Sequence, residues 1–197
     1  MIVWHMASTD EIGGLRPVVK GAPRVAAGPA GLCIEFDGRR DALVLDINPI
    51  QGAAAFSIEV LLRPDAGGPA EQRFLHVQEE ASEDRVLLET RLTAGGRWYA
   101  DTFIKSGPAE QPLNDPRLAH PLGRWHNLAL VYDGHEMIQY VDGVCELRAP
   151  IRRAPMGPGK VSLGARINDV FWFRGALATV RFAPRALEPG ELLKPPM

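Results

Sequence analysis

The sequence predicts an all-β protein, a single antiparallel β-sandwich, and three observations lead there. Short apolar or alternating runs recur roughly every 8–15 residues from position 32 onward, separated by Gly, Pro, Asn and Asp. No window of helical length carries an apolar stripe at the 3.6-residue period. Asp-Gly occurs three times between such runs, at Asp37-Gly38, Asp133-Gly134 and Asp142-Gly143. That dipeptide favours tight reversals because both residues tolerate positive φ.

Taken in order, residues 1–31 are rich in Gly, Pro and Ala, and only Leu15–Lys20 resembles a short strand. Leu32–Phe36 and Ala42–Ile47 flank the first Asp-Gly and read as a strand pair. Ala55–Arg63, Arg73–Gln78, Arg85–Leu92 and Arg97–Ile104 follow as β-rich runs bounded by turn residues. Ser106–Gly123 carries Pro108, Pro112, Pro116 and Pro121 and predicts a long loop, a common home of function on sandwiches. In Trp125–Tyr132, alternation puts His126, Leu128, Leu130 and Tyr132 on one face and Trp125, Asn127, Ala129 and Val131 on the other. Both faces are largely apolar, so this strand is expected at the centre of a sheet, covered on both sides. Met137–Val141, bracketed by two Asp-Gly turns, reads as the middle strand of a meander that continues into Val144–Leu147. Lys160–Gly164 and Val170–Phe182 are the last predicted strands, the latter turning outward either Trp172 or both Phe171 and Phe173. Leu187–Leu193 is the best short-helix window, which Pro189 limits to a turn.

The 197 residues are 46% hydrophobic and 23% charged, an ordinary composition for one folded domain. We expect a single domain over 1–197, with its core at about 30–190 and residues 1–30 as an N-terminal extension. A net charge of −2, with the only dense basic spot at Arg148, Arg152 and Arg153, argues against nucleic acid as a partner. No apolar run reaches the ~20 residues of a membrane-spanning helix, and no secretory leader pattern opens the chain. The compartment expected is the cytoplasm, with secretion as the alternative. Cys33 and Cys145 lie in apolar runs without metal-ligand spacing; they are read as small hydrophobes, with a single disulfide between them as the alternative.

The run Trp125-His126-Asn127-Leu128-Ala129-Leu130-Val131-Tyr132-Asp133-Gly134, followed by Gln139-Tyr140-Val141-Asp142-Gly143, resembles a known family. It is the laminin-G-like and pentraxin-like group of concanavalin A-like jelly rolls, whose pattern is Trp-His-x-Val-Ala and then Tyr-Val-Asp-Gly. Flanking pieces agree in order: Phe36-Asp37-Gly38 with Asp41, then Phe56-Ser57-Ile58-Glu59-Val60, then Ser162-Leu163-Gly164, Phe173-Arg174-Gly175-Ala176-Leu177 and Val180-Arg181-Phe182. The resemblance spans about residues 30–190 and implies a jelly-roll sandwich. It also brings to mind glycan-active enzymes and calcium sites at a sheet rim.

The chemistry the residues permit is narrower. Laminarinase-like relatives carry Glu-x-Asp-x-Glu along one strand, whose spacing aims three carboxylates into one cleft. Here Glu35-Phe36-Asp37 runs into Gly38 and Arg39, so the third carboxylate is missing. There is no Gly-x-Ser-x-Gly elbow, no phosphate-binding glycine loop and no histidine pair at ligand spacing. Asp37, Asp41, Asn168 and Asp169, with Asp46 and Asn48, are the oxygen donors that calcium prefers, set against the ordinary use of Asp and Asn in turns. From Gln72 to Ile104, apolar residues alternate with large polar ones. Arg73, His76, Glu89, Arg91, Trp98 and Asp101 are therefore the expected ligand-binding residues of a concave sheet, combining ring stacking with hydrogen bonds to hydroxyls. The first reading of function is a non-catalytic binding module, for carbohydrate. The alternatives are a glycan-active hydrolase or lyase with a non-standard acidic site, and a structural or assembly protein that oligomerises through strand edges or the Trp172 region.

Overall fold

The computed structural model describes residues 1–194, and its elements are nearly all β. In chain order the strands are β1 (Ile2–His5), β2 (Val18–Lys20), β3 (Arg24–Gly28), β4 (Gly31–Asp37), β5 (Ala42–Leu45), β6 (Phe56–Pro64), β7 (Glu71–Glu79) and β8 (Arg85–Leu92). They continue as β9 (Arg97–Ser106), β10 (Ala109–Asn114), β11 (His120–Pro121), β12 (His126–Tyr132), β13 (Glu136–Val141), β14 (Val144–Pro150), β15 (Gly159–Leu163) and β16 (Arg174–Ala183). Among the described residues one 3-10 turn, Pro189–Glu191, lies within the window where a turn was expected. Among the described residues no helix is long and apolar enough to cross a membrane.

Two antiparallel sheets face one another. The first runs β14-β13-β12-β6-β16-β4-β3, with β1 continuing the line of β4 along the far half of β16. The second runs β10-β9-β8-β7-β15-β5-β2, with β11 continuing the line of β10 beside β9. Period-2 alternation sends Phe56, Ile58, Val60 and Leu62 of β6 and Leu128, Leu130 and Tyr132 of β12 into the shared core. From the second sheet, Leu75, Val77, Val86, Leu88 and Ile104 meet them.

β12 is buried throughout and lies between β13 and β6, as its two apolar faces require. Its outer face, Ala129 and Val131, joins Ile138, Tyr140 and Ala183 beneath Leu187 and Leu192 of the C-terminal segment. That segment is pinned by Ser57, whose hydroxyl donates to the Arg185 carbonyl (3.0 Å) and accepts from the Leu187 amide (2.9 Å). The Trp-His and Asp-Gly parts of the sequence signature bond to each other. Asp142, left-handed at φ 53°, accepts from the Asn127 amide (2.8 Å) and holds His126 Nδ1 at 2.8 Å. The histidine and aspartate thus clasp the start of β12 to the β13–β14 turn.

Three local expectations are corrected, and one alternative is closed. Residues 1–31 hold β1 and β3 as well as β2, and Trp4 and Met6 are buried in the core. Ala109–Asn114, expected within a loop, is the edge strand β10, where Pro112 is tolerated because an edge leaves one side of the ladder unpaired. The last long strand begins at Arg174 rather than Val170. Residues 165–173 instead cross over the outer face of the second sheet, with Asp169 at φ 63° and Phe171 at φ 58°, while Phe173 turns into the core. Cys33 and Cys145 are both free, on β4 and β14 near opposite edges of the first sheet, beyond any disulfide reach.

Candidate functional site

The outer face of the second sheet carries five of the six sequence-expected ligand residues. Strand register lines up Arg73, Glu89, Asp101 and Asn114 as one cross-strand row, with Glu71 and Arg91 beside it. Trp98 lies on the opposite face, 0% exposed in the core, so it offers no ring to a ligand. The row is closed by its own charges. Arg91 binds Asp101 and, at 2.7 Å, Glu71; Arg73 reaches Glu71 at 3.0 Å. Asn114 Nδ2 donates to Asp101 (3.3 Å). Arg73 Nε stands 3.0 Å from Glu89 Oε2 but off the line of a hydrogen bond, leaving both atoms without a partner. Burial, with the neighbouring Asp101 charge added, pushes the Glu89 carboxyl up to about 7.

Two acidic residues at directly opposed positions of neighbouring strands have Cβ atoms about 5 Å apart, the kind of pairing from which an acid pair could be built. Glu89 and Asp101 meet that description, yet both are buried and engaged by arginines. His76 lies deeper, under residues 165–173. Its Nδ1 accepts from the Ile167 amide (3.0 Å), and burial, with Arg166, Arg85 and Arg73 nearby, drives it down to about 3. The Phe171 ring lies against the Arg73 guanidinium at 3.6 Å.

The outer face of the first sheet is built differently. The C-terminal segment covers its β12–β13 half, and the β3–β4–β16–β6 half remains open. Cys33, Leu61, Ala176 and Ala178 form the floor, with Ala26 and the half-buried Trp125 packed against them. Small side chains on the middle strands and larger ones at the margins make a trough. One end is a cavity of about 280 Å³ lined by Arg24, Glu35, Asp37, Asp65, Arg174 and Gly175. The other is a more apolar cavity of about 240 Å³ lined by residues that include His5, Pro29, Leu32, Leu61 and Thr179. From Asp37 to Leu32 along β4, a strand rise of ~3.3 Å per residue sets the distance at roughly 17 Å.

Charged groups line the trough without being sealed. Glu35 bridges Arg24 (2.9 Å) and Arg63 (3.0 Å), and Arg63 also makes two bonds to Asp65 (3.0 and 3.1 Å). The Arg63 guanidinium lies 5.6 Å from the Trp125 ring centroid. The Arg24 side chain is 78% exposed. Gly175 shapes the floor: a Cβ there would stand 2.2 Å from the Arg63 carbonyl oxygen, so only glycine lets β16 approach β6 at this point. The sequence reading identified Trp125 and Arg63 as strand residues only. The signal that they share an open face lies in the pairing of β6, β12 and β16, which is not local.

Of the expected calcium donors, only Asp37 and Asp41 lie side by side. Asp37 accepts three backbone amides, from Arg39, Arg40 and Asp41 (2.8, 3.0 and 3.2 Å), and Asp41 accepts two, from Ala22 and Asp37 (2.8 and 3.0 Å). Asp169 pairs with Lys20 instead, Asn168 is exposed, Asp46 faces Lys160 at 3.6 Å, and Asn48 donates to the Gly157 carbonyl (2.7 Å). Among the described residues no group of three or more His, Cys, Asp or Glu side chains converges as a metal site. In the structure these side chains brace turns and loops.

The family model described as the concanavalin A-like lectin/glucanases superfamily matches residues 37–193. No curated protein matches the sequence. Among solved structures, the chain is similar to domain 4 of an extracellular arabinanase from Geobacillus stearothermophilus in complex with arabinotriose. That match has 15% identity and a TM-score of 0.67, and covers 91% of this chain and 87% of that one. The native heptameric SAP-like pentraxin of Limulus polyphemus matches at 14% identity and a TM-score of 0.66, covering 83% and 81%. The binding domain of botulinum neurotoxin DC in complex with SialylT matches at 10% identity and a TM-score of 0.68, over 96% of this chain and 49% of that one.

Proposed function

We propose, from the premise that this chain belongs to the concanavalin A-like lectin/glucanase superfamily, that it is a carbohydrate-binding module that takes its ligand in the trough of the first sheet. The observation that carries the reading is the open trough itself. It joins a polar cavity to an apolar one across a floor of small residues, with Trp125 on its wall. A saccharide presents alternating apolar ring faces and hydroxyl edges. An indole stacks on the first, while guanidinium–carboxylate pairs held in fixed geometry donate to and accept from the second. Arg63, anchored by Asp65 and Glu35, and Arg24 supply those pairs. The ~17 Å run suits a short oligosaccharide lying along β4 rather than a single ring. Two of the similar folds, the arabinanase domain and the neurotoxin binding domain, were captured with arabinotriose and SialylT, which supports the ligand class.

A glycan array followed by calorimetry on the saccharides it selects, arabino-oligosaccharides and sialylated glycans among them, tests this reading. The expected outcome is binding by the wild-type chain that falls at least tenfold in Trp125→Ala and in Arg63→Ala. Binding that survives both substitutions unchanged, or no saccharide signal at all, would sink it.

A further inference from the structure

We infer that a second site, independent of the trough, lies between the outer face of the second sheet and the segment Ala165–Phe173, and that it binds a small oxyanion: a carboxylate, phosphate or sulfate group. His76 and Ser162 are register partners on β7 and β15, and both side chains point away from the core. They are 0% and 1% exposed, yet His76 Nε2 and Ser162 Oγ have no hydrogen-bond partner. Because His76 Nδ1 accepts from Ile167, the neutral ring carries its hydrogen on Nε2, which is therefore an unmatched donor. Arg73 Nε and Arg85 Nε on the same face are buried donors without partners as well. Against these four donors the face offers one unmatched buried acceptor, Glu89 Oε2, which lies beside Arg73. Buried polar groups are nearly always satisfied, so this concentration of idle donors marks a place for acceptor oxygens.

The charge balance agrees. Arg166, on the covering segment, makes no side-chain hydrogen bond or ion pair among the described residues. Burial and the like charges of Arg85 and Arg73 hold its guanidinium below its ordinary pKa. Among the described residues, Arg85 meets Glu83, through its carbonyl oxygen (3.1 Å) and its carboxylate (3.7 Å), and the Phe103 ring, which leaves Nε free. An oxyanion bound here accepts from His76 Nε2 and Ser162 Oγ below and from Arg166 and Arg85 at the sides. The covering segment is held in a costly conformation. Phe171, a bulky residue, sits at φ 58°, and Asp169 at φ 63°. Such strain is retained where the surroundings impose it and clusters at ligand clamps. Its ends are fixed, by buried Ala165 and Phe173 and the Phe173 amide on the Gly164 carbonyl (2.8 Å). Its middle rests on the Ile167 amide on His76, the Arg73 amide donating to the Phe171 carbonyl (2.8 Å), the Phe171 ring on Arg73, and Lys20 on Asp169. Opening this segment exposes the donors, and closing it brings Arg166 over the anion.

Thermal-shift titrations of the full chain with sodium phosphate, sodium sulfate and sodium glucuronate, each against sodium chloride at equal ionic strength, test the site. The expected result is a saturable rise in Tm with at least one of these anions above the chloride baseline. Glucuronate acting alone identifies an acidic sugar as the source, and phosphate or sulfate identifies an inorganic or ester group. Arg166→Gln should weaken the apparent affinity at least tenfold while leaving the anion-free Tm unchanged. Ser162→Ala should also weaken it, but with the anion-free Tm equal to or above wild type, because an unpaired buried hydroxyl has been removed. Trp125→Ala should leave the anion response intact, which separates this site from the trough. No response above chloride, or a response unaltered in both Arg166→Gln and Ser162→Ala, overturns the proposal.

Discussion

The two outer faces of the sandwich are made of similar materials and do different work. On the first sheet, Arg24, Glu35, Arg63 and Asp65 form a chain of ion pairs beside small residues and remain open to solvent. On the second, Glu71, Arg73, Glu89, Arg91 and Asp101 form a chain of the same chemical types, but Glu89 is only 2% exposed and the 165–173 segment lies alongside. What differs is the neighbouring side chains and the covering loop. Alanines leave room above one face, while Phe171 and the ladder of long side chains fill the other. A period-2 run of charged residues therefore specifies a sheet face, and the cover over it specifies whether that face meets a ligand.

The largest expected effect sharpens the contrast between the two tryptophans. Trp98→Ala removes a fully buried indole from the core and should cost roughly 3–5 kcal/mol by urea unfolding. A cost below about 1 kcal/mol would place Trp98 outside the core and reopen it as a ligand residue.

Next comes the proton held by the closed face. Glu89 lies at about 7 in the fold against an ordinary 4.5, so between those values the folded chain keeps a proton that the unfolded chain has lost. Stability from this group is therefore full below pH 4.5 and is lost as pH rises through 7, by up to roughly 3 kcal/mol. His76, at about 3 against an ordinary 6.5, works in the opposite sense: its stability is full above pH 6.5 and is lost as pH falls. The two slopes oppose each other between 4.5 and 6.5, so the wild-type profile alone hides both. The stability difference between Glu89→Gln and wild type isolates the first and should grow in favour of the variant from pH 4.5 to 7. A flat difference would show that Glu89 is not held in that environment.

Smaller in free energy, but decisive for the open face, is Trp125→Ala. It should lower saccharide affinity tenfold or more, about 1.4 kcal/mol, with little change in Tm, because the ring is only half-buried. A large fall in Tm with unchanged affinity would reverse the roles of the two faces. Arg24→Ala should have the smallest effect: a few-fold loss of affinity by calorimetry and no measurable change in Tm, its side chain being mostly exposed.

Much of the architecture was legible because it rests on local alternation. β12 declared its central position through two apolar faces, and the Asp-Gly turns framed β13 as they do in the structure. The strands that escaped, β1, β3, β10 and β11, are short or carry glycine or proline; β1 is held by the distant β16, whereas β3 and β10 are held in hairpins with β4 and β9, and β11 also lies on β9. The site was less legible. Alternation along β9 already sets Trp98 and Asp101 on opposite faces, three residues apart, so grouping them as one groove broke the same period that identified the strand. Trp125, Arg63 and Glu35 come from strands separated by tens of residues, and only the order β12-β6-β16-β4 brings them onto one surface.

The placement of β16 has a consequence for how the molecule forms. Arg174–Ala183 pairs with β6 on one side and with β4 and β1 on the other. A strand near one end of the described chain is thus the keystone between segments near the other end, joining Ile2 to Phe182. Any fragment that stops before Arg174 leaves the first sheet in three pieces, β14-β13-β12-β6, β4-β3 and β1 alone, with the edges of β6, β4 and β1 that face β16 unpaired. Closing it means fixing contacts across almost the whole sequence before they are repaid, and such topologies fold in milliseconds to seconds. Until β16 docks, β6 and β4 are exposed β-edges, which makes a chain caught at that stage the form most prone to pair with another copy of itself.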